Sequence, residues 1–276
     1  MHLEVFSWLN GLFKAVLNSF APQKHVLSNR SFVVTIKHCW CKSYYCNSMN
    51  WLTRFFTSSL GQKLIMSLTG LFLITFLVVH MSGNLQLLSH DGGESFNIYA
   101  AFMSHNPVIK VISIGLYAFI LLHTIQGLVL CVSNRKSKGP QYKANKSQGA
   151  NWASKNMALL GTLIFAFLLL HMGDFWVKMR FTDQLAMLTY PGHDAPVHDI
   201  YTRVHVAFQQ LWIVIVYIIG VIALGFHLVH GFQSAFQTLG INHKKYTPAI
   251  KALGWIYTII ISLGFISMPL YHYLNP

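Results

Sequence analysis

Five long apolar segments, separated by polar loops, dominate the sequence beyond about residue 60. They run over about 64–88, 108–132, 156–178, 207–238 and 250–273. Each is apolar on all sides and reaches the length of about 20 residues that a helix needs to cross a bilayer. The pattern therefore predicts an all-α membrane bundle of five transmembrane helices. The fourth segment is longer than one span needs, so we expect it to tilt or to project beyond the membrane.

The composition agrees with this fold class. Hydrophobic residues make up 54% of the chain and charged residues only 10%, whereas soluble domains carry about 25% charged residues. The net charge of +13 raises the alternative of nucleic-acid binding. The basic residues, however, cluster in short loops between apolar segments, as they do where a membrane protein sets its orientation. We therefore expect contact with membrane lipid and no nucleic-acid partner.

The loops on the two sides of the predicted bundle differ in charge. The loop at 135–155 holds six lysines and arginines and no acid, and Lys244, Lys245 and Lys251 follow the fourth segment. Most of the acidic residues fall in the loops at about 89–107 and 179–206. The positive-inside rule then predicts that the N-terminus is cytoplasmic and the C-terminus lies outside.

The first 48 residues differ from the rest of the chain. They show a weak apolar pattern that would suit a short interfacial helix, and no signal-peptide cleavage pattern. At Met49 an aromatic and basic stretch leads directly into the first span. We interpret 1–48 as an N-terminal extension, with Met49 as the expected initiator, and 49–276 as the transmembrane domain.

Four of the five spans carry a histidine well inside the apolar segment: His80, His123, His171 and His227. An ionisable side chain inside a membrane is costly and marks a functional site by default. Neutral imidazole is also a common axial ligand of haem iron. A single histidine of this kind more often bonds a neighbouring helix or carries protons, but four on four helices are the number that two haems require.

The depths of these histidines form two levels. His80 and His171 lie 17 and 16 residues after the last basic residue before their spans, about 25 Å along a helix. His123 and His227 lie 12 and 13 residues before the residues that end their spans, so they are deeper toward the predicted cytoplasmic side. Two pairs at two depths are what two stacked bis-histidine haems need.

A short repeat accompanies the deeper pair. His123 and His227 are each followed four residues later by a glycine, Gly127 and Gly231. Positions i and i+4 share a helix face, so the glycine would clear room beside the ligand for a flat macrocycle. His230 lacks this arrangement and is the second choice to His227 as ligand. It would instead donate a hydrogen bond to a haem propionate or to a neighbouring helix.

Other polar residues are weaker candidates. Ser67, Trp152 and Arg135 are placed to bind haem propionates on the inner side, although each also suits a membrane-interface anchor. We expect the histidines in or near the outer loops to be solvated: His90, His105, His193, His198 and His205. The chain has seven acidic residues in total, so it is poorly equipped for acid–base chemistry on a polar metabolite.

From about Met49 onward, the chain resembles the five-helix, two-haem cytochrome b membrane subunit of succinate:quinone oxidoreductases, the cytochrome b558 type of succinate dehydrogenase and fumarate reductase. The segments that carry the resemblance are SLTGLFLITFLVVHM (67–81), HTIQG (123–127), GTLIFAFLLLHMGDFW (161–176) and FHLVHGFQSAFQTLGI (226–241). Each is moderately specific, and their order and spacing extend over about four-fifths of the chain.

The resemblance implies a function for the four histidines. They would be the axial ligands of two haems b, with His123 and His227 at the haem nearer the iron–sulfur partner and His80 and His171 at the outer haem. A flavoprotein subunit and an iron–sulfur subunit would bind the cytoplasmic face and interconvert succinate and fumarate, a reaction this chain does not itself catalyse. Electrons would pass to or from a quinone, most often menaquinone. The resemblance implies a multi-pass protein of the bacterial inner membrane.

Two further positions follow from the resemblance. Glu94 falls near the place where some members hold an acid beside the quinone. Gly225 occupies the position, two residues before the fourth ligand, at which some fumarate reductases have a glutamate linked to proton movement. We therefore expect that proton route to be missing in this chain.

Two alternatives remain open at the level of sequence. The first is the two-haem cytochrome b anchor of another quinone-linked complex, a hydrogenase or a formate dehydrogenase, as a rival to the preferred succinate:quinone oxidoreductase subunit. The second is a transporter that uses histidines as a proton relay. It would usually show an inverted repeat with broken helices, and no proline lies in the middle of a span.

Overall fold

The computed structural model describes residues 51–137, 152–182, 184–193 and 195–276. The predicted extension at 1–48 and most of the basic loop at 135–155 lie outside the described residues. Five helices in the described part are long and apolar enough to span a membrane. The prediction of an all-α five-helix membrane bundle is thereby confirmed.

The spans follow the predicted segments closely. They are α2 (Ser59–Asn84), α4 (Pro107–Ser137), α6 (Met157–His171), α9 (Leu211–Thr238) and α10 (Thr247–Leu274). Shorter helices precede or connect them: α1 (Trp51–Thr57) before the first span, and α3 (Glu94–His105), α5 (Trp152–Lys155), α7 (Val177–Phe181) and α8 (Ile200–Phe208) between spans. A 3₁₀ turn at Leu85–Leu88 extends α2, and one turn of π-helix at Met172–Trp176 joins α6 to α7. Strands β1 (Met187–Leu188) and β2 (Val197–His198) pair antiparallel, with Met187 opposite His198.

The fourth span begins four residues later than predicted. The segment assigned to it from 207 is divided: α8 ends at Phe208, and Gln210 has the extended backbone that precedes α9. The side chain of Gln209 donates to the backbone oxygen of His272 at 2.5 Å. Two consecutive glutamines thus interrupt the apolar run, and part of its extra length belongs to a separate helix that packs against α10.

Helix α9 lies at the centre of the bundle. It packs against α2, α6 and α10, and 44% of its most apolar stretch is buried, compared with 0% for α4. Gly220 permits the contact with α6, because a Cβ there would lie 2.6 Å from the ring of Phe167. The central position of α9 explains why it is the most apolar span, whereas α4 exposes its apolar side chains to lipid.

Segments 85–106 and 195–210 meet at one end of the bundle, which we call the loop-rich end. Asn97 joins them and is fully buried. Its amide nitrogen donates to the Tyr190 hydroxyl at 2.9 Å and to Asp199 at 3.1 Å, and its oxygen accepts from the backbone nitrogens of Ile200 and Tyr201. The main hydrophobic core lies at this end and comprises Leu87, Phe96, Val204, Ala207, Phe208, Ile213, Val214 and Met268.

Two polar residues at the loop-rich end have shifted acidities. Asp91 accepts hydrogen bonds from the backbone nitrogens of Ser95 and Gly93 at 3.0 Å each. A side-chain hydrogen bond with Ser95 is the largest cause of a lowered pKa of Asp91, and these two backbone bonds lower it further. Burial raises the pKa of Tyr99, which packs against Gly83 of α2. At neutral pH, Asp91 is therefore ionised and holds the start of α3, and Tyr99 is a neutral phenol.

Candidate functional site

The four histidines of the spans meet as two pairs. The ring centres of His80 in α2 and His171 in α6 lie 5.7 Å apart. Those of His123 in α4 and His227 in α9 lie 6.2 Å apart. These are the pairings that the depths along the helices predict. Each pair joins two different spans, so each site exists only in the folded bundle.

Aromatic side chains surround the His80–His171 pair. Phe76 stacks on His80 and Phe167 stacks on His171, each from the position four residues earlier on the same helix. Phe265 of α10 lies 5.7 Å from His80, ring centre to ring centre. The two phenylalanines occupy equivalent places because residues i and i+4 share a helix face. The result is an apolar site that holds both imidazoles from the side.

The two imidazoles of this pair are hydrogen-bonded by residues of different helices. The Tyr217 hydroxyl of α9 lies 3.3 Å from Nδ1 of His171. Asn84 lies one turn after His80, and its amide nitrogen is 3.3 Å from the Nδ1 atom of His80. The same amide makes a shorter bond of 2.7 Å to the backbone oxygen of His80. His171 is therefore oriented by a neighbouring helix, and His80 mainly by its own.

The hydroxyl of Thr69 determines the tautomer of His123. Thr69 Oγ1 donates to the backbone oxygen of Ile65 at 2.8 Å and lies 3.1 Å from Nδ1 of His123. A hydroxyl has one proton to donate, and the shorter bond to Ile65 uses it. Nδ1 of His123 must then carry a hydrogen and donate to Thr69. Its Nε2 is left unprotonated, which is the state that a metal-binding imidazole needs.

Two buried polar atoms near the His123–His227 pair have no hydrogen-bond partner among the described residues. They are Nδ1 of His227 and the amide nitrogen of Gln126, one turn after His123. A buried donor or acceptor left unpaired costs about 1–3 kcal/mol. The amide nitrogen of Gln126 needs an acceptor, such as an anionic group. Nδ1 of His227 needs an acceptor if it carries a proton, and a donor or a metal ion if it does not.

Small residues line the same pair. A Cβ at Gly70 would lie 3.3 Å from the His123 ring, which is a tight contact, so glycine eases the close approach of α2 at this point. A Cβ at Gly231 would have no described atom within 4 Å, and one at Gly127 would meet only Met66, at 3.4 Å. The two glycines of the His-x-x-x-Gly repeat therefore leave open space beside the histidines.

The ring separations suit iron held between two imidazoles. A histidine nitrogen binds a transition metal at about 2 Å. Two imidazoles on opposite faces of one iron then have ring centres roughly 6 Å apart, close to the observed 5.7 and 6.2 Å. The donor set, two neutral imidazoles per site, is also a known haem ligation. The residues present fit two haems.

A distortion and an ion-pair cluster follow His171 directly. The π turn at Met172–Trp176 widens the helix there, and such turns often occur at functional sites. Within it, the carboxylate of Asp174 binds Lys178 Nζ at 2.6 Å and the guanidinium of Arg203. The three side chains are 21–25% exposed. The cluster joins the third span to α8 beside the His80–His171 pair, and the sequence analysis did not identify it.

The structure places the weaker candidates as follows. Ser67 is buried, and its hydroxyl donates to the backbone oxygen of Lys63 at 3.0 Å. Trp152 is 55% exposed and contacts the ring of Phe226. His230 is partly buried, and the side chain of Arg135 lies outside the described residues. Their roles stay predictions.

Glu94 stands in the first turn of α3 and is partly buried. Gly93, directly before it, packs against the ring of Tyr201 in α8, where a Cβ would overlap that ring. The positive φ of 89° at Gly93 also favours glycine. Glu94 thus begins α3 next to Tyr201, and its role beside a quinone stays a prediction.

Sequence reasoning missed Thr69, Tyr217 and Asn84. Nothing in the local pattern distinguishes Thr69 and Tyr217 from other polar residues in spans, because each is identified only by its contact with a histidine. Only Asn84 had a signal, since it follows His80 by four residues.

No family model, curated protein or solved structure matches the chain.

Proposed function

We propose that the chain is the membrane anchor and electron-transfer subunit of a succinate dehydrogenase or fumarate reductase. It would pass electrons between an iron–sulfur subunit and a membrane quinone through two bis-histidine haems b. The resemblance implies menaquinone as the quinone. The observation that carries the proposal is the meeting of four span histidines as two pairs, with ring centres 5.7 and 6.2 Å apart.

The residues of each pair would hold one haem from both faces. When bound, haem iron supplies reversible transfer of one electron. The chain itself fixes the imidazoles: Thr69 orients His123, and Tyr217 orients His171. Such outer hydrogen bonds set the tautomer and raise the basicity of a metal-binding histidine. The apolar spans exclude water from both sites, which also tunes the reduction potential.

The partner subunits would bind at the end opposite the loop-rich end. Lys244, Lys245 and Lys251 are exposed there, and the basic loop at 135–155 belongs to the same side of the predicted topology. A cluster of exposed cations favours association with an acidic protein surface. The flavoprotein and iron–sulfur subunits would supply the succinate chemistry that this chain does not perform.

A visible spectrum tests the proposal. The full chain, purified with any proteins that accompany it, should show a Soret band and the narrow bands of low-spin haem b on reduction with dithionite. Succinate should reduce part of this haem when the partner subunits are present. A preparation that shows no low-spin haem b spectrum, either as purified or after reconstitution with haemin and removal of the excess, would overturn the proposal.

The same experiment separates the alternatives. Reduction of the haem by hydrogen or formate, and not by succinate, would assign the chain to a hydrogenase or formate dehydrogenase anchor. A histidine-relay transporter would contain no haem. In the described residues each span is continuous helix through its middle, and α10 continues past Pro269. This continuity does not favour the broken helices typical of many transporters.

A further inference from the structure

A third contact between histidines lies at the loop-rich end, outside the two pairs. Nδ1 of His205 in α8 is 3.1 Å from Nδ1 of His272 in α10, and the ring centres are 5.3 Å apart. The expectation that His205 is solvated was wrong, because it is partly buried in this contact. His272 is 0% exposed, and its place near the end of the last span gave no signal in the sequence.

Aromatic rings enclose the His205–His272 contact. Tyr201 stacks on His205 with ring centres 6.2 Å apart and meets His272 edge-on at 5.5 Å. Phe208 stacks on His272, and Tyr271 lies 5.4 Å from it. The titratable groups that face the two imidazoles are thus two tyrosines. Burial raises the pKa of Tyr201, so it stays neutral near pH 7.

The other ring nitrogen of His272, Nε2, is buried and has no hydrogen-bond partner in the part of the chain that the structure describes. Only one proton can lie between the two Nδ1 atoms. If His272 supplies it, its Nε2 is a free acceptor; if His205 supplies it, Nε2 carries a proton that it can donate. The two histidines therefore offer a buried atom that can accept or donate a proton, connected to a less buried imidazole.

The surroundings indicate what this atom would bind. His272 adjoins the hydrophobic core of the loop-rich end, which includes Phe208 and Met268. The ring of Phe208 is 5.0 Å from that of Tyr217, whose hydroxyl reaches His171. The contact is therefore joined by packed aromatic rings to the His80–His171 pair. A ligand for this place should have an apolar ring, to suit the hydrophobic core, and an oxygen atom that can bond Nε2 of His272. It should also exchange both electrons and protons, because the contact lies close to the His80–His171 pair.

We propose that His272 and His205 form the proton-transfer site for the quinone, with His272 Nε2 bonding the quinone oxygen and His205 connecting it to water. This inference rests on the proposed function. It assigns residues other than Glu94, which the resemblance implied. Glu94 begins α3 beside the same Tyr201 ring, so it lies at the margin of the site and not in the histidine contact.

The proton steps balance in both directions. Oxidation of one quinol releases two electrons to the electron-transfer chain of the proposed function, and two O–H bonds break. The two protons pass one after the other. Each is taken up by Nε2 of His272 while the proton on its Nδ1 passes to Nδ1 of His205, and His205 releases the proton on its own Nε2 to water. Both imidazoles are then neutral with exchanged tautomers, and the tautomers reset before the next proton passes. Quinone reduction runs the same steps in reverse, with two protons taken up.

The test uses the full chain in detergent with its haem, and menadiol as the reductant. The variant His272→Gln keeps a side chain that can donate a hydrogen bond but cannot relay a proton. Menadiol should then reduce the haem more slowly by roughly 10²-fold, with loss of the pH dependence of that rate. His205→Gln should slow it less, because water can partly replace the outer imidazole.

The control variant is His193→Gln, since His193 is an exposed histidine at the same end. It should leave the menadiol rate unchanged. Haem content and reduction by dithionite should be normal in all three variants, which shows that the fold and the electron-transfer sites are intact.

A menadiol rate within twofold of wild type in both His272→Gln and His205→Gln would overturn this inference and leave the proposed function standing. If His272→Gln fails to fold, the result for His205→Gln decides. Absence of haem from the wild-type chain would instead overturn the proposed function.

Discussion

The two histidine pairs use the same side chains in unlike surroundings. The His80–His171 pair is enclosed by phenylalanines and a tyrosine, with an ion-pair cluster close by. The His123–His227 pair is lined by glycines and by Thr69, and two buried polar atoms near it have no partner among the described residues. The two pairs therefore offer the same two imidazoles, but their surroundings differ in open space, polarity and hydrogen bonding.

Under the proposed function, this difference in surroundings would give the two haems different reduction potentials. The reduction potential of a haem depends on its axial ligands, on burial and on hydrogen bonds to those ligands. With ligands equal, burial and hydrogen bonds must set the difference between the two sites. An electron then has a preferred direction between them, and the comparison can be tested at each site separately.

Removal of a ligand should have the largest effect. His123→Ala or His227→Ala should abolish the haem of that pair, and His80→Ala or His171→Ala the other haem, because one imidazole cannot hold the iron from both faces. The haem-to-protein ratio should fall by half, as measured by pyridine haemochrome assay. His230→Ala is the control and should keep both haems. Full haem content in any of the four ligand variants would refute that ligand assignment.

Filling the open space beside His227 should reduce haem binding at one pair only. In Gly231→Leu, the new side chain enters space in which no described atom lies within 4 Å of a Cβ. Leucine favours helix over glycine by roughly 0.5–1 kcal/mol, so the helix itself should not weaken. We expect loss of the haem at His123–His227 with the other retained, by the same assay.

Gly115→Leu is the matched control, because a Cβ at Gly115 likewise has no described atom within 4 Å, but the residue is not one turn from a paired histidine. It should keep both haems. If Gly231→Leu also kept both, the open face beside His227 would not be where the macrocycle lies.

Loss of one outer hydrogen bond should shift one potential moderately. Tyr217→Phe removes the hydroxyl that lies 3.3 Å from Nδ1 of His171, and Thr69→Val removes the acceptor for Nδ1 of His123. Weaker ligand basicity favours ferrous iron, so the potential of the affected haem should rise. A hydrogen bond contributes about 1 kcal/mol, which is on the order of 40 mV for a one-electron couple.

Redox titration followed at the haem bands would measure these shifts. Tyr257→Phe is the control, because the Tyr257 hydroxyl donates to the backbone oxygen of Ile74. It should leave both potentials as they are. If Tyr217→Phe moved both potentials equally, the assignment of Tyr217 to the His80–His171 site would be wrong.

The smallest effect is expected at Ser67. Its only hydroxyl proton is already donated to Lys63, which leaves none for a haem propionate. Ser67→Ala should therefore give no resolvable shift in the potential of the haem at His123–His227. A clear shift in the same titration would support the propionate contact that the sequence suggests.

Sequence reasoning succeeded where a local pattern was sufficient and failed where the signal was a contact. The fourth span was placed four residues too early, because the apolar pattern continues across Gln209 and Gln210 and only the packing of α8 against α10 shows the break. His205 was expected to be solvated because it lies near an outer loop. That position does not reveal its contact with a residue 67 positions further along the chain.

The class of protein, the number of spans and the histidines that they carry follow from the amino-acid sequence alone. The backbone polar groups of a helix in a bilayer bond within the helix itself, so length and composition suffice to identify a span. Which side chains meet depends on the folded bundle. Thr69 reaches His123 from 54 residues away and Tyr217 reaches His171 from 46 residues away. These contacts depend on how each helix is rotated and shifted against its neighbours, which is set by the packing of the whole bundle.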